Sequence, residues 1–387
     1  MRIRLVTHST RPRGGVVHAT GLAEALAARG HGVELWALAP DGEPLYRRTD
    51  VPVRLVPVDR PPEEPADERV ARHAEVLAAA LRDAPPADVH HAEDYLSARA
   101  LLALRQEGRV PAVVRTVHHV ESFPSRFLEE CQRASIQDVD HVICVSRFWA
   151  DRLREEFGVG CDVVANGVDA ARYAACPDDR AAAGRRLGWG ARPTVLAVGG
   201  VEPRKGSRTL LEAFARARGR LGDGALLAIA GGDAPLDHGE FREAWRRDLD
   251  HLGLVAHEGS DVPAGVDVAV LGTVPDEDMP ALYRAADVLA FPSTREGFGL
   301  VALEAMAAGL PVVVTDLPVL HEHLTDGEDC LMVPVGDSGP LAEALVRAAR
   351  DAAVRDRLTA GGVATAARFT WERAAEEHER IYRGIGA

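Results

Sequence analysis

The sequence predicts an α/β protein made of two doubly wound halves, each a parallel sheet covered by helices. Three observations carry that expectation. At 387 residues the chain is longer than one core usually supports, so two domains are expected. Short apolar runs such as Val288 to Phe291 and Val312 to Thr315 have the length and content of buried parallel strands, and they alternate with Ala- and Leu-rich helical stretches. Each half also opens in the same way, with a strand, a glycine loop and a helix. In the first half Arg2 to His8 leads into T-R-P-R-G-G-V, and in the second Thr194 to Val198 leads into G-G-V-E-P-R-K-G.

In the first half, a helix is predicted over Gly21 to Arg29, stopped by Gly30, and a strand over Val33 to Leu38. Pro40 to Asp67 reads as connection, with a short strand at Val53 to Val58. The helix Glu68 to Arg82 keeps Val70, Leu77 and Leu81 on one stripe, so its charged positions form a solvated face. Further strands are expected at Asp88 to His90, Ala112 to Val117 and Val142 to Val145, with Ser146 as an N-cap and Asn166-Gly167 as a turn. From Ala170 to Arg192 the chain turns rich in Ala, Arg, Asp and Gly. A linker is placed at residues 176–192, between domains over 1–175 and 193–365, with a closing helical segment over 366–387.

The second half continues with a helix from about Ser207, the strand Leu226 to Ala230 ending in Gly231-Gly232, and a polar helix over Phe241 to Leu252. Val268 to Leu271 leads to Gly272-Thr273-Val274-Pro275 and a helical segment from Asp276 to Ala285. Then comes the most informative stretch, A-D-V-L-A-F-P-S-T-R-E-G-F-G-L-V-A-L-E-A-M-A-A-G-L-P-V-V-V-T, which reads as strand, loop, helix from Leu300 to Ala308, and strand. Gly297 and Gly299 let the backbone approach a ligand at the helix start, where unpaired N–H groups and the helix dipole favour an anion such as phosphate. Glu304 stands in an otherwise apolar helix, and burying its carboxylate is costly unless hydrogen bonds are donated to it. Vicinal ribose hydroxyls would donate them; the plainer alternative is solvent or a neighbouring arginine. Helices over Gly339 to Ala349 and Trp371 to Tyr382 close the chain.

A formal net charge of −14 argues against a surface built for nucleic acid or anionic lipid. Five cysteines without C-x-x-C spacing indicate neither a disulfide framework nor a zinc site and fit a reducing cytoplasm. The N-terminus runs into a strand pattern without a signal-type segment, and no apolar run reaches the roughly 18 residues of a transmembrane segment.

Glu296 and Glu304 stand as E-x(7)-E around G-F-G-L-V-A-L. This resembles the signature of the large retaining glycosyltransferase family numbered four, which has the GT-B fold of two Rossmann-like domains facing an interdomain cleft. The resemblance spans nearly the whole chain and is most specific from Gly272 to Pro318. It implies an acceptor-side first domain, a nucleotide-sugar donor domain second, and a last helix that packs back on the first. Glu296 would orient the donor sugar and Glu304 the nucleotide ribose. Gly14 and Gly15 match the family's glycine pair facing the donor diphosphate, and Lys205 its diphosphate-gripping lysine. Many members have Gly-Arg where this chain has Gly199-Gly200, so Arg204 is the candidate substitute for the missing arginine. His118 matches the histidine of the family's T-x-H-D, beside the transferred sugar, whereas His119 departs from the aspartate. Gly200, Gly231, Thr273, Val274, Gly297, Phe298, Gly299 and Leu300 complete the expected donor site.

The activity implied is transfer of a sugar from a nucleoside-diphosphate sugar, with retention and front-face attack, to a hydroxyl on a small-molecule, lipid or glycan acceptor. No cofactor is expected beyond the co-substrate, and no D-x-D-like cluster stands in a motif position to hold a metal. Lys205, Arg204 and backbone amides at Gly15 and at Phe298 to Leu300 would carry the leaving phosphate's charge. The acceptor surface is expected in the loops Pro40 to Asp67 and Glu121 to Gln132, and the oligomeric state is left open. The alternatives are a sugar-nucleotide epimerase or phosphorylase on the same fold, or a non-catalytic nucleotide-sugar-binding protein.

Overall fold

In the computed structural model the described residues are 1–59, 61, 64–123, 125–232 and 239–386. Residues 60, 62, 63 and 124, in the two loops expected to meet the acceptor, lie outside them. The chain divides into two compact units, Met1–Gly167 with Phe369–Ala387, and Val168–Arg368.

The first unit runs β1 (Arg2–Thr7), α1 (Gly14–Ala28), β2 (Gly32–Pro40), β3 (Val53–Val58), α2 (Ala66–Arg82), β4 (Val89–Ala92), α3 (Tyr95–Gln106), β5 (Val113–Val117), α4 (Arg126–Gln137), β6 (His141–Cys144), α5 (Arg147–Phe157) and β7 (Asp162–Val163). The second holds α6 (Ala170–Ala174), α7 (Arg180–Arg186), β8 (Thr194–Val198), α8 (Ser207–Leu221), β9 (Leu226–Ala230), α9 (Gly239–Leu252), β10 (Ala256–Glu258), β11 (Val268–Gly272), α10 (Met279–Ala285), β12 (Val288–Phe291), α11 (Leu300–Ala307), β13 (Val312–Thr315), β14 (Leu331–Val333), α12 (Ser338–Arg350) and α13 (Ala352–Ala366). The last helix, α14 (Trp371–Gly384), returns to the first unit.

Each unit is a parallel sheet, ordered β3-β2-β1-β4-β5-β6-β7 in the first and β10-β11-β9-β8-β12-β13-β14 in the second. Central strands such as β9 and β12 are buried on both faces, so they read as unbroken apolar runs. In the first unit one apolar cluster joins Val6 and Leu38 to Leu77 and Leu101 under α2 and α3. A second joins Leu5 and Leu35 to Leu22, Leu26, Ile381 and Tyr382 under α1 and α14. Winding reverses between β1 and β4 in one sheet and between β8 and β12 in the other, and ligands of such sheets bind beyond the strand ends at that reversal.

Two expectations are corrected. The first helix starts at Gly14 and not at Gly21, so the glycine pair forms its opening turn; neither glycine has a positive φ, and both accept helical dihedrals. The proposed linker at 176–192 is ordered structure within the second unit, which begins at Val168. Asp179 caps α7, accepting from Ala182 N at 2.7 Å, and Arg180 and Arg186 pair with Asp287 and Asp278. Composition alone gives the same mixture for a hinge and for short capped helices.

Candidate active site

The second unit gathers its site at the reversal between β8 and β12. Gly206 ends the loop after β8 with φ 64°, and a Cβ there would sit 2.1 Å from the Pro292 carbonyl oxygen, so the two loops touch backbone to backbone. That contact fixes Lys205 and Arg204 beside Glu296 of the second loop. Lys205 Nζ donates to Glu296 Oε1 at 2.7 Å and Arg204 Nη1 donates to the same oxygen at 3.2 Å. Burial works to raise the Glu296 carboxyl, but the Lys205 and Arg204 charges overrule it and hold it at about 2. Burial also lowers the Lys205 ammonium, against the pull of Glu296. Two cations share one carboxylate, so the cluster keeps one positive charge.

Glu304 lies one helical turn into α11 and is half-buried. Tyr283 Oη donates to its Oε2 at 2.6 Å, and the Tyr283 ring meets Tyr173 edge-on at 5.6 Å. Burial pushes the Glu304 carboxyl up to about 7, opposed by hydrogen bonds from Tyr283 and Tyr173 and by the Arg172 charge.

Glycines line the neighbouring strand ends. Gly199 N and Gly200 N both donate to Ala230 O, at 2.7 and 3.0 Å, and Gly231 N donates to Gly272 O at 2.7 Å. Thr273 lies against Gly232, where a Cβ would meet Thr273 Oγ1 at 2.3 Å; Thr273 is exposed and Val274 partly so. Gly200 has φ 77° with the Gly232 carbonyl oxygen 2.8 Å from its ideal Cβ. This loop has no room for a side chain at 200, which accounts for the absence of an arginine there. Gly297, Phe298 and Gly299 are buried, and Leu300 opens α11.

In the first unit His118 follows β5 and Gly15 lies against its ring, where a Cβ would stand 3.3 Å from His118 Cδ2. His118 Nε2 bonds Glu93 Oε2 at 3.1 Å, and Glu93 directly follows β4 at the sheet reversal. Around them are His18, bonded to Asn166 Oδ1 at 2.9 Å, and His91, bonded to Tyr382 Oη and Thr116 Oγ1 at 2.7 Å each. Burial lowers His118 and His18 to about 3 and raises Glu93 to about 7. His119 points elsewhere, to Glu121 at 2.6 Å.

All three helices that follow the glycine loops, α1, α8 and α11, begin with neither a capping side chain nor an acid in the first turn. Elsewhere Asp94, Ser146 and Thr370 cap their helices in the ordinary way. Uncapped amides at these three starts are suited to an anion.

Residues 192–351 match the family described as glycosyl transferases group 1, and residues 12–172 match glycosyltransferase family 4. Over 397 aligned positions, covering 100% of this chain and 97% of the relative, the chain is 32% identical to the phosphatidyl-myo-inositol mannosyltransferase of Mycobacterium leprae. The chain belongs to glycosyltransferase family 4.

This glycosyltransferase is also 33% identical to the D-inositol 3-phosphate glycosyltransferase of Kribbella flavida, across 83% of its own length and 77% of the relative's. Its fold matches sucrose-phosphate synthase from Thermosynechococcus elongatus with a TM-score of 0.80 at 24% identity, covering 100% and 99% of the two chains. It matches Anabaena HepE in complex with UDP and glucose at 0.77 and 18%, covering 99% and 100%. These likenesses place the glycosyltransferase in the two-domain GT-B class. No described helix is long and apolar enough to cross a membrane.

Sequence reasoning missed Glu93 and the buried histidines around it. The only local signal is the run His90-His91-Ala92-Glu93 at the end of a strand whose four residues are all buried.

Proposed function

We propose that this glycosyltransferase moves a sugar from a nucleoside-diphosphate donor to a hydroxyl acceptor with retention of anomeric configuration and without a metal ion. The observation that supports the donor reading is the Lys205–Glu296–Arg204 cluster at the reversal of the second sheet, flanked by two uncapped helix starts. Breaking the bond between sugar and diphosphate puts negative charge on the leaving phosphate, and preorganised positive groups aimed at it lower the barrier. Lys205, Arg204 and the amides opening α8 and α11 fill that role. Glu296, kept ionised by its cations, orients sugar hydroxyls, and Glu304 accepts from the ribose. His118 is the residue beside the transferred sugar, and Gly15 faces the diphosphate.

An inositol-bearing acceptor is the first to test, because the names of both relatives above carry that group. Incubating the full chain with GDP-mannose, UDP-glucose, ADP-glucose and dTDP-glucose, each with myo-inositol, an inositol phosphate or phosphatidylinositol, gives the test. Transfer that keeps the donor's anomeric configuration in the NMR spectrum of the product is expected, and an inverted product would overturn the assignment.

A further inference from the structure

We infer that Glu93 is a positioning residue for the transfer reaction: its carboxylate accepts from His118 Nε2 and so keeps Nδ1 as the ring's unprotonated, outward nitrogen. This rests on the reading of His118 as the residue beside the transferred sugar.

The geometry is specific. Glu93 is 1% exposed in its side chain and His118 15%, with 3.1 Å between Oε2 and Nε2. No described residue bonds His118 Nδ1, whereas Gly15 covers the Cδ2–Nε2 edge of the ring. A carboxylate at that depth is costly, and its other oxygen, Oε1, is buried without a hydrogen-bond partner. An apolar side chain of similar size would serve packing better, so the acid is at odds with stability at the sheet reversal, where ligands bind.

The groups facing Glu93 come from four elements. His18 Nε2 of α1 is 3.8 Å from Oε2 and His91 Nε2 of β4 is 3.9 Å from Oε1. Asp94 follows in sequence, Arg115 lies on β5, and His378 and Tyr382 of α14 close the cluster behind His18 and His91. Ionised Glu93 accepts a proton bond and selects the Nε2–H ring. Protonated Glu93 donates instead and selects the opposite tautomer, with the proton on Nδ1. Burial places that change near neutrality.

The test uses the full chain with ¹⁵N-labelled histidine and long-range ¹H–¹⁵N spectra at pH 8. An Nε2–H tautomer for His118 is expected in the wild type and in Glu93→Gln, whose amide oxygen still accepts, and loss of that preference is expected in Glu93→Leu. With the donor and acceptor selected by the panel above, Glu93→Leu should lower kcat about 10- to 100-fold with the donor KM little changed. Glu93→Gln should keep turnover at pH 8 but lose the fall of kcat/KM below neutral pH. An Nδ1–H ring in the wild type, or an unchanged acidic limb in Glu93→Gln, overturns the inference. Unchanged turnover in His118→Ala overturns instead the reading on which it rests, while the tautomer spectrum still decides the Glu93–His118 bond by itself.

Discussion

Tyr283 donates its hydroxyl proton to Glu304 Oε2 at 2.6 Å, so a carboxylate that looks isolated in the sequence is held from behind by a phenol of the preceding helix. Tyr283→Phe removes that donor and leaves Glu304 half-buried. A loss of about 1–3 kcal/mol in urea denaturation is expected, together with weaker nucleotide binding in a calorimetric titration. A variant that binds nucleotide as tightly as the wild type would separate Glu304 from the ribose.

Lys205→Ala strips Glu296 of its 2.7 Å partner and leaves Arg204 as the cation on that oxygen. The carboxyl should then titrate well above its present value of about 2, and turnover should fall by about 100-fold or more, the scale of losing one preorganised charge at a leaving group. Lys205→Arg should recover part of the loss. Steady-state kinetics with a fixed acceptor decide it.

Acid should weaken the first unit more than the second. His18, His118 and His378 take a proton near 6.5 when unfolded but only at about 3 to 4 in place, so the unfolded chain binds more protons between those values and stability falls as pH drops. Glu93, raised to about 7, acts in the opposite sense: its stabilising contribution is fullest at low pH and is lost as pH rises through 7. Three rings outweigh one carboxyl. In the second unit Glu304, at about 7, and His323, at about 4, nearly cancel between pH 5 and 6.5. Moving from pH 7 to pH 5 should cost the first unit at least about 2 kcal/mol, read by hydrogen exchange resolved to each unit.

The opening glycines should separate packing from ligand contact. Gly14 has open space around an added Cβ, whereas Gly206 has φ 64° and the Pro292 carbonyl 2.1 Å away. Gly14→Ala should leave the melting temperature level or raised, adding up to about 1 kcal/mol, yet slow turnover if the α1 amides face the donor. Gly206→Ala should destabilise by at least about 2 kcal/mol. Calorimetric melts of both variants check this.

Turnover should be insensitive to excess EDTA, because in the proposed mechanism Lys205 and Arg204 supply the positive charge that a divalent cation would otherwise bring to the leaving diphosphate. A chelator-sensitive rate restored by magnesium would remove the metal-free mechanism.

Much of this was legible in the chain. The apolar runs of β9, β12 and β13 mark the second sheet, because strands buried on two faces cannot hide their pattern. The pairing of Lys205 with Glu296 was not legible, since it depends on two loops 91 residues apart meeting at Gly206 and Pro292. Glu93 was invisible for a related reason: a buried acid at a strand end looks in sequence like any polar residue starting a loop. Asn166-Gly167 has the composition of a turn, but a Cβ on Gly167 would lie 2.3 Å from Trp371 N, so its glycine answers to a helix more than 200 residues away.

That last helix sets the order of assembly. Ala374, Ala375, Ile381 and Tyr382 complete the apolar cluster under β1 and β2, and Tyr382 closes the bond to His91. The first half of the polypeptide to leave the ribosome is thus the last able to finish its interior, waiting on residues synthesised some 200 positions later, while the uninterrupted stretch from Val168 to Arg368 can mature ahead of it.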